Sequence, residues 1–236
     1  MQPFSGKRPE GARIAGGTPS NSDRQELKIE TENLDEKKLP ADLRKCVEFH
    51  GHLCPGLMYG YLVGAAAAER LHISRSADEE IVAVAENDSC AVDGLQVMLG
   101  TTAGKGNLVI KNHGKSVFTV ISRSYQRALR FSRKKRYAYK GPESEEFAAL
   151  EKAYVDGTAT AAQRRRQKRL KAMDLLARPV EEVFDIEEAP FEKIPFAPLA
   201  PSQACADCGE MTMATRMVTG DDGKVRCRPC HERIFA

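Results

Sequence analysis

Phe49-His50-Gly51-His52-Leu53-Cys54-Pro55-Gly56 separates two runs of helical periodicity, and its reading organises the rest of the chain. Before it, 41–49 places Leu43, Val47 and Cys46 on one face, and Cys46 reads as a core residue. After it, 57–71 is apolar on most sides and rich in small residues (Gly60, Gly64, Ala65, Ala66, Ala67, Ala68), which predicts a central helix packed closely by its neighbours. Pro55 suits the first helical position, so Cys54 falls at the N-cap, where the positive end of the helix favours a thiolate. Working outward, 81–85 (IVAVA) reads as a strand. Asn87-Asp88-Ser89 supplies capping chemistry for a helix over 91–99, with Cys90 at its mouth. A glycine-bearing loop follows over 100–106. Strands over 107–111 and 116–122 are then expected to form a hairpin around Asn112-His113-Gly114-Lys115. Helices over 145–155 and from Thr160 to Pro179 follow, the second headed by a Thr160/Gln163 capping box, with Leu170, Met173 and Leu176 or Ala177 facing inward. A short strand is placed at 183–186. The mixture lacks regular strand–helix alternation, so the fold class is α+β.

Two totals constrain function. The 236 residues carry 36 Lys+Arg against 33 Asp+Glu, and seven cysteines. The longest run free of charge and strong polarity, 57–68, is too short to span a bilayer, and no N-terminal apolar segment resembles a signal peptide. A membrane or secreted protein is not expected. An odd cysteine count with two Cys-x-x-Cys pairs points to metal or thiol chemistry in a reducing compartment, hence the cytoplasm. Residues 1–38, rich in Pro, Gly and balanced charge, read as a disordered tail; 39–188 is the core, 189–203 a Pro-rich linker, and 204–236 a separate module.

That module carries the strongest chemical signal. Cys205-Ala206-Asp207-Cys208 and Cys227-Arg228-Pro229-Cys230 are 18 residues apart, a spacing at which four thiolates close a tetrahedron around zinc. Strands over 213–218 and 224–226 flank Gly220-Asp221-Asp222-Gly223, and a helix over 228–235 bears the second pair, the treble-clef arrangement. So short a module folds with help from a metal, so a structural zinc with no open position is expected. His231 is surplus to that set.

His50, His52 and Cys54 lie within five residues, and Cys90 has a similar setting at a second helix mouth. These residues suit a metal site with an open position and equally a reactive dithiol, with Cys54 as a nucleophile or redox thiol. The bland alternative makes the histidines loop-satisfying and the cysteines small buried hydrophobes. His72 and His113 read as ordinary helix-end and turn residues.

The segment 49–56, continuing into Gly60-Tyr61, resembles the signature of the FmdE family, named for a component of formylmethanofuran dehydrogenase. So do Asp88-Ser89-Cys90-Ala91-Val92-Asp93-Gly94-Leu95-Gln96, Gly104-Lys105-Gly106-Asn107-Leu108 and Gly114-Lys115, and the likeness covers about 40–190. It implies an FmdE-like α+β core, commonly a homodimer, with a metal or ligand pocket at His50, His52, Cys54 and Cys90, Cys54 and Cys90 being its candidate catalytic thiols. Asp93 and Gln96, one helical turn away, would orient a ligand or bound water. It also implies the other chains of a molybdenum or tungsten enzyme as partners, and an accessory or redox-related role in one-carbon metabolism. The four-cysteine module is similar to the treble-clef finger of many members. The long N-terminus and the basic 123–178 region depart from the family pattern.

Gly100 to Gly106 only superficially resembles a phosphate loop, because Gly106 stands where a hydroxyl residue is required and a strand follows. An anionic group meeting Lys105 beside the pocket is still expected. Residues 123–178 hold 16 Lys+Arg and 6 Asp+Glu, an excess of +10 within a chain of net +3. With Tyr125, Phe131, Tyr137 and Tyr139 interleaved, they fit a nucleic-acid or partner-binding scaffold as the alternative function. A solvated helix face neutralised by nearby glutamates is the favoured reading.

Overall fold

The computed structural model describes residues 39–134 and 137–235; the tail expected over 1–38 lies outside the described residues. The chain divides into two compact units, 1–44 and 45–236. Helix α1 (Ala41–His50) begins in the first. Within the second come α2 (Pro55–Leu71), β1 (Ile81–Ala85), α3 (Ala91–Leu99), β2 (Leu108–Ile110), β3 (Val117–Ser122) and β4 (Arg127–Arg133). Then follow α4 (Ser144–Val155), α5 (Ala161–Leu176), the single turn α6 (Val180–Val183) and β5 (Phe184–Ala189).

Five strands form one sheet in the order β2-β1-β3-β4-β5, parallel between β1 and β2 and antiparallel elsewhere. The hairpin expected between 107–111 and 116–122 is not formed, because β1 lies between those strands. All five residues of β1 are buried, so its amides and carbonyls need strand partners on both sides. The intervening loop bonds to the end of β1 instead, through Lys111 N–H to Ala85 O (2.8 Å) and His113 N–H to Glu86 O (3.0 Å). Strand β1, helix α3 and strand β2 thus make a β-α-β crossover, which delivers Cys90 at the carboxyl end of β1.

One face of the sheet packs on α2. The Phe184 ring sits edge-on to Tyr59 of α2, Phe118 of β3 and Phe131 of β4, with centroids 6.0–6.3 Å apart. The opposite face gathers Val82, Val84, Ile121 and Ala128 and is covered in part by Ile194. Residues 190–201 contain no helix or strand, yet their middle, 194–197, is held. Arg123 donates to the carbonyls of Ile194 and Pro195 and lies over the Phe196 ring (4.1 Å), while the Ala197 amide donates to Glu79 (3.1 Å).

Helix α5 carries the expected capping box, with Gln163 N–H donating to Thr160 Oγ1 (3.2 Å) and Thr160 N–H to Gln163 Oε1 (2.8 Å). Its inward face differs from the expected stripe. Gln167, Leu170, Ala172, Asp174 and Leu175 are buried, whereas Met173 and Ala177 are exposed. Asp174 accounts for the difference: it accepts from Tyr137 Oη (2.5 Å), Lys140 N–H (3.1 Å) and Arg178 (2.5 Å), which satisfies a carboxylate that hydropathy would place outside.

The C-terminal region forms two small hairpins, β6 (Ser202–Ala204) with β7 (Met211–Met213) and β8 (Met217–Thr219) with β9 (Val225–Cys227), then α7 (Arg228–Phe235). The single strand expected over 213–218 is broken by a 3-10 turn at Ala214–Arg216, because the chain there leaves one hairpin partner for another.

Candidate metal centres

Helices α2 and α3 meet through glycine. A Cβ on Gly60 would stand 2.0 Å from the Ala91 carbonyl oxygen, and one on Gly94 2.7 Å from the Tyr61 amide nitrogen, so the two backbones touch directly. At the mouth of the same groove a Cβ on Gly56 would lie 2.9 Å from Cys90 Cβ and 3.4 Å from its sulfur. The helices therefore bring their first turns together, and with them Cys54 and Cys90.

Cys54 is the N-cap of α2 at φ −146°, its sulfur accepting from Leu57 N–H (3.4 Å). His50 ends α1 and turns its Nε2 to 3.7 Å from Cys54 Sγ. Its Nδ1 is 2.7 Å from Asp93 Oδ2, and Asp93 Oδ1 accepts from Gln96 Nε2 (3.2 Å). The donor atoms of His50, Cys54 and Cys90 all lie within 4.8 Å of one another. A carboxylate behind the ring fixes the tautomer and aims Nε2 at the thiols, the usual second layer of a metal-bound histidine. Burial pushes the Cys54 thiol up, reinforced by Cys90 and only partly opposed by the Leu57 amide. The thiolate expected from the helix field alone is thus outweighed by desolvation, and an ion is what would draw the proton off.

His52 is exposed and stands outside this trio, its ring 4.5 Å from that of His50. Although the residue is exposed, partial desolvation of its ring, then the neighbouring His50 and Lys168, push it toward the neutral form. Asp93 and Gln96 reach the cluster through His50, a role in positioning that the spacing alone did not disclose. Gly56 is the residue the sequence reading missed, although Gly56, Gly60 and Gly64 recur every fourth position and so share one helix face. The structure does not bring Lys105 to the cluster. Its ammonium donates to the carbonyls of Ser76 (3.1 Å) and Ala77 (3.3 Å), beside the C-terminal end of α3, while Cys90 sits at the other end.

The second cluster is Cys205, Cys208, Cys227 and Cys230, again with all donors within 4.8 Å. Gly209, at φ +74°, returns its amide to Cys205 O (2.9 Å) and closes the knuckle. The amides of Cys208, Cys227 and Asp207 hold the Cys205 thiol down at about 6. Arg226, buried between Asp207 (2.7 Å) and Asp222 (2.5 Å), locks the second hairpin behind the ligands. Four sulfurs with this spacing fit zinc, and they leave no open position.

Many cations of 123–178 are paired with carboxylates, although the partners inside the segment leave its net excess unchanged. Arg166 grips Glu146 with two bonds (2.8 and 2.7 Å), and Lys134, Lys140, Lys152 and Arg178 pair with Asp185, Glu182, Asp156 and Asp174.

A three-donor cysteine–histidine cluster on a glycine-tight helix pair, with a closed four-cysteine cluster after it, defines an α+β protein with two candidate metal centres. The chain belongs to the FmdE family: residues 49–185 match the family described as "FmdE, Molybdenum formylmethanofuran dehydrogenase operon". An FmdE-like protein of the tungsten formylmethanofuran dehydrogenase type, from Syntrophus aciditrophicus, shares the fold, with a TM-score of 0.51 and 16% identity over 80% of this chain and 89% of that one. The chain is also 29% identical over 191 residues, 78% of its length, to a "Probable S-adenosyl-L-methionine-binding protein" of Archaeoglobus fulgidus. It spans about half (52%) of that relative. Among the described residues no helix is long and apolar enough to cross a membrane.

Proposed function

We propose that His50, Cys54 and Cys90 hold a divalent metal ion with one coordination position left for a small ligand, and that the protein serves molybdenum- or tungsten-linked one-carbon metabolism as an accessory or redox-related member. The observation that carries this reading is the convergence of three soft donors within 4.8 Å, with a carboxylate already set behind the histidine. Three protein ligands and a vacancy are the pattern of metal sites that bind substrate, whereas four are the pattern of structural ones. The ion would supply Lewis acidity at the vacancy; Asp93 and Gln96 orient His50, and Gly56 lets the two thiols approach. S-adenosyl-L-methionine, named for the relative, is the first ligand to try, because its carboxylate suits an open metal position.

Metal content of the purified chain tests the proposal. Wild type should carry two ions, Cys54→Ser and Cys90→Ser one, and Cys205→Ser one, with the ion lost from the two groups of variants being distinct. A wild-type chain with a single ion that survives Cys54→Ser and is lost only in Cys205→Ser would overturn it. The same preparation reads out the proposed homodimer by its hydrodynamic mass.

A further inference from the structure

A cavity of about 80 Å³, which shares no lining residue with either metal cluster, lies where β4, Lys134 and Tyr137 meet α2 and α5. Tyr59 and Tyr137 form walls, and Arg133, Lys134, Lys171 and Arg178 bring four cations to it. Among the described residues Glu182 is the one acid on the lining, and its carboxylate is held by Lys140 at 2.6 Å. Asp174 takes one face of Arg178 (2.5 Å), and Lys134 reaches Asp185 at 3.4 Å.

Two observations show that these cations are not there for one another. The Arg178 side chain is 10% exposed, yet its Nε–H is buried with no acceptor among the described residues. Lys171 lies over the Tyr137 ring (4.4 Å) and Arg133 over the Tyr59 ring (5.2 Å), and neither has a carboxylate within ion-pair distance among the described residues. Burial and, less strongly, Arg133 nearby push the Lys171 ammonium toward its neutral form, with Glu151 opposing. Like charges gathered around an unmet donor are stable when an anion completes them. The volume, well below the roughly 300 Å³ at which small-molecule sites begin, suits a small head group.

We infer that Arg133, Lys134, Lys171 and Arg178 form a binding site for a phosphate group. Two guanidiniums and two ammoniums suit a tetrahedral dianion better than a single carboxylate, and the aromatic walls keep the cations in place without neutralising them. The site shares no residue with the cluster of His50, Cys54 and Cys90, and it gives the basic segment a specific task.

The test is titration of the full chain with inorganic phosphate at constant ionic strength, followed calorimetrically. Saturable binding is expected, weakened at least about tenfold in Lys171→Met and in Arg133→Met, each of which keeps the apolar stem while removing the charge. Lys193→Met, on the exposed segment after β5, should bind as wild type does. Thermal melts without phosphate verify folding, and Arg133, at the rim, serves if the Lys171 variant does not fold. Competition by glycerol phosphate tighter than by phosphate marks the site as holding the head group of a larger ester, and weaker competition marks free phosphate; either supports the site. Absence of saturable phosphate binding, unchanged binding in both variants, or an equal loss in Lys193→Met would overturn it.

Discussion

Replacing Gly56 with Ala separates the metal trio from the fold that carries it. The added Cβ would stand 2.9 Å from Cys90 Cβ and 3.8 Å from Cys54 Sγ. Carbon atoms rest at about 3.5–4.0 Å, so Cys90 must withdraw by roughly 0.6–1 Å. Metal–ligand distances tolerate only about 0.2 Å, so the Cys90 thiolate leaves coordination range. The fold suffers less. Overpacking costs about 1–3 kcal/mol. The better helix propensity of Ala returns up to about 1 kcal/mol, leaving a net loss of roughly 0–3 kcal/mol. Competition with a chromogenic chelator should show the first-site affinity of Gly56→Ala reduced at least about tenfold, with the four-cysteine zinc retained and a stability loss in urea of no more than about 3 kcal/mol. Gly60→Ala is the contrast: its Cβ meets a backbone oxygen at 2.0 Å that has nowhere to go, so this variant should lose stability outright. A Gly56→Ala protein that binds its first-site metal as wild type does would refute the geometry of the trio.

Three further outcomes are expected. Asp93→Asn leaves His50 with a weaker and ambiguous partner, so first-site metal affinity should fall about 10–100-fold while the melting temperature of the metal-free chain barely moves. Asp174→Ala strands the buried Arg178 and the Tyr137 hydroxyl, and urea denaturation should register a loss of about 3–5 kcal/mol. Glu80 is held at about 2, first by the Ser76 hydroxyl and then by the amides of Glu80 and Asp78. A depressed folded pKa contributes stability above the unfolded value of about 4.3 and loses it as pH falls toward 2. Wild type should therefore exceed Glu80→Gln in stability at pH 6, and the two should converge near pH 2; a constant offset across that range would contradict the assignment.

Local chemistry was legible wherever a few neighbouring residues decide it. Ile81–Ala85 and Ala91–Leu99 stand where the periodicity put them, Cys54 caps α2, and Thr160 and Gln163 close their box. Illegible features were those settled between distant segments. The partner of β2 depends on where α3 returns the chain, so two strands separated by a short turn read as a hairpin although β1 claims both. Strand β4 was hidden because Arg127, Arg130 and Arg133 interrupt its apolar residues, and charges that find Glu188 and Glu86 across the sheet look, in sequence, like a solvated run. The candidate site followed the same division. His50, Cys54 and Cys90 were visible as types at helix mouths, whereas the exclusion of His52, the placement of Lys105 and the bond from Asp93 to His50 required three elements to be set against one another.

The hold on residues 194–197 shortens the leash of the C-terminal finger. With Ala197 fastened to Glu79, only 198–200 run free before Pro201, whose carbonyl accepts from the Ala214 amide (2.9 Å), a span of at most about 14 Å. Within so small a radius, any molecule that engages both the finger and the core meets the second surface at millimolar effective concentration or above. Two weak grips would then act as one strong one, and loosening Arg123 or Glu79 would dilute the second grip without touching either binding surface.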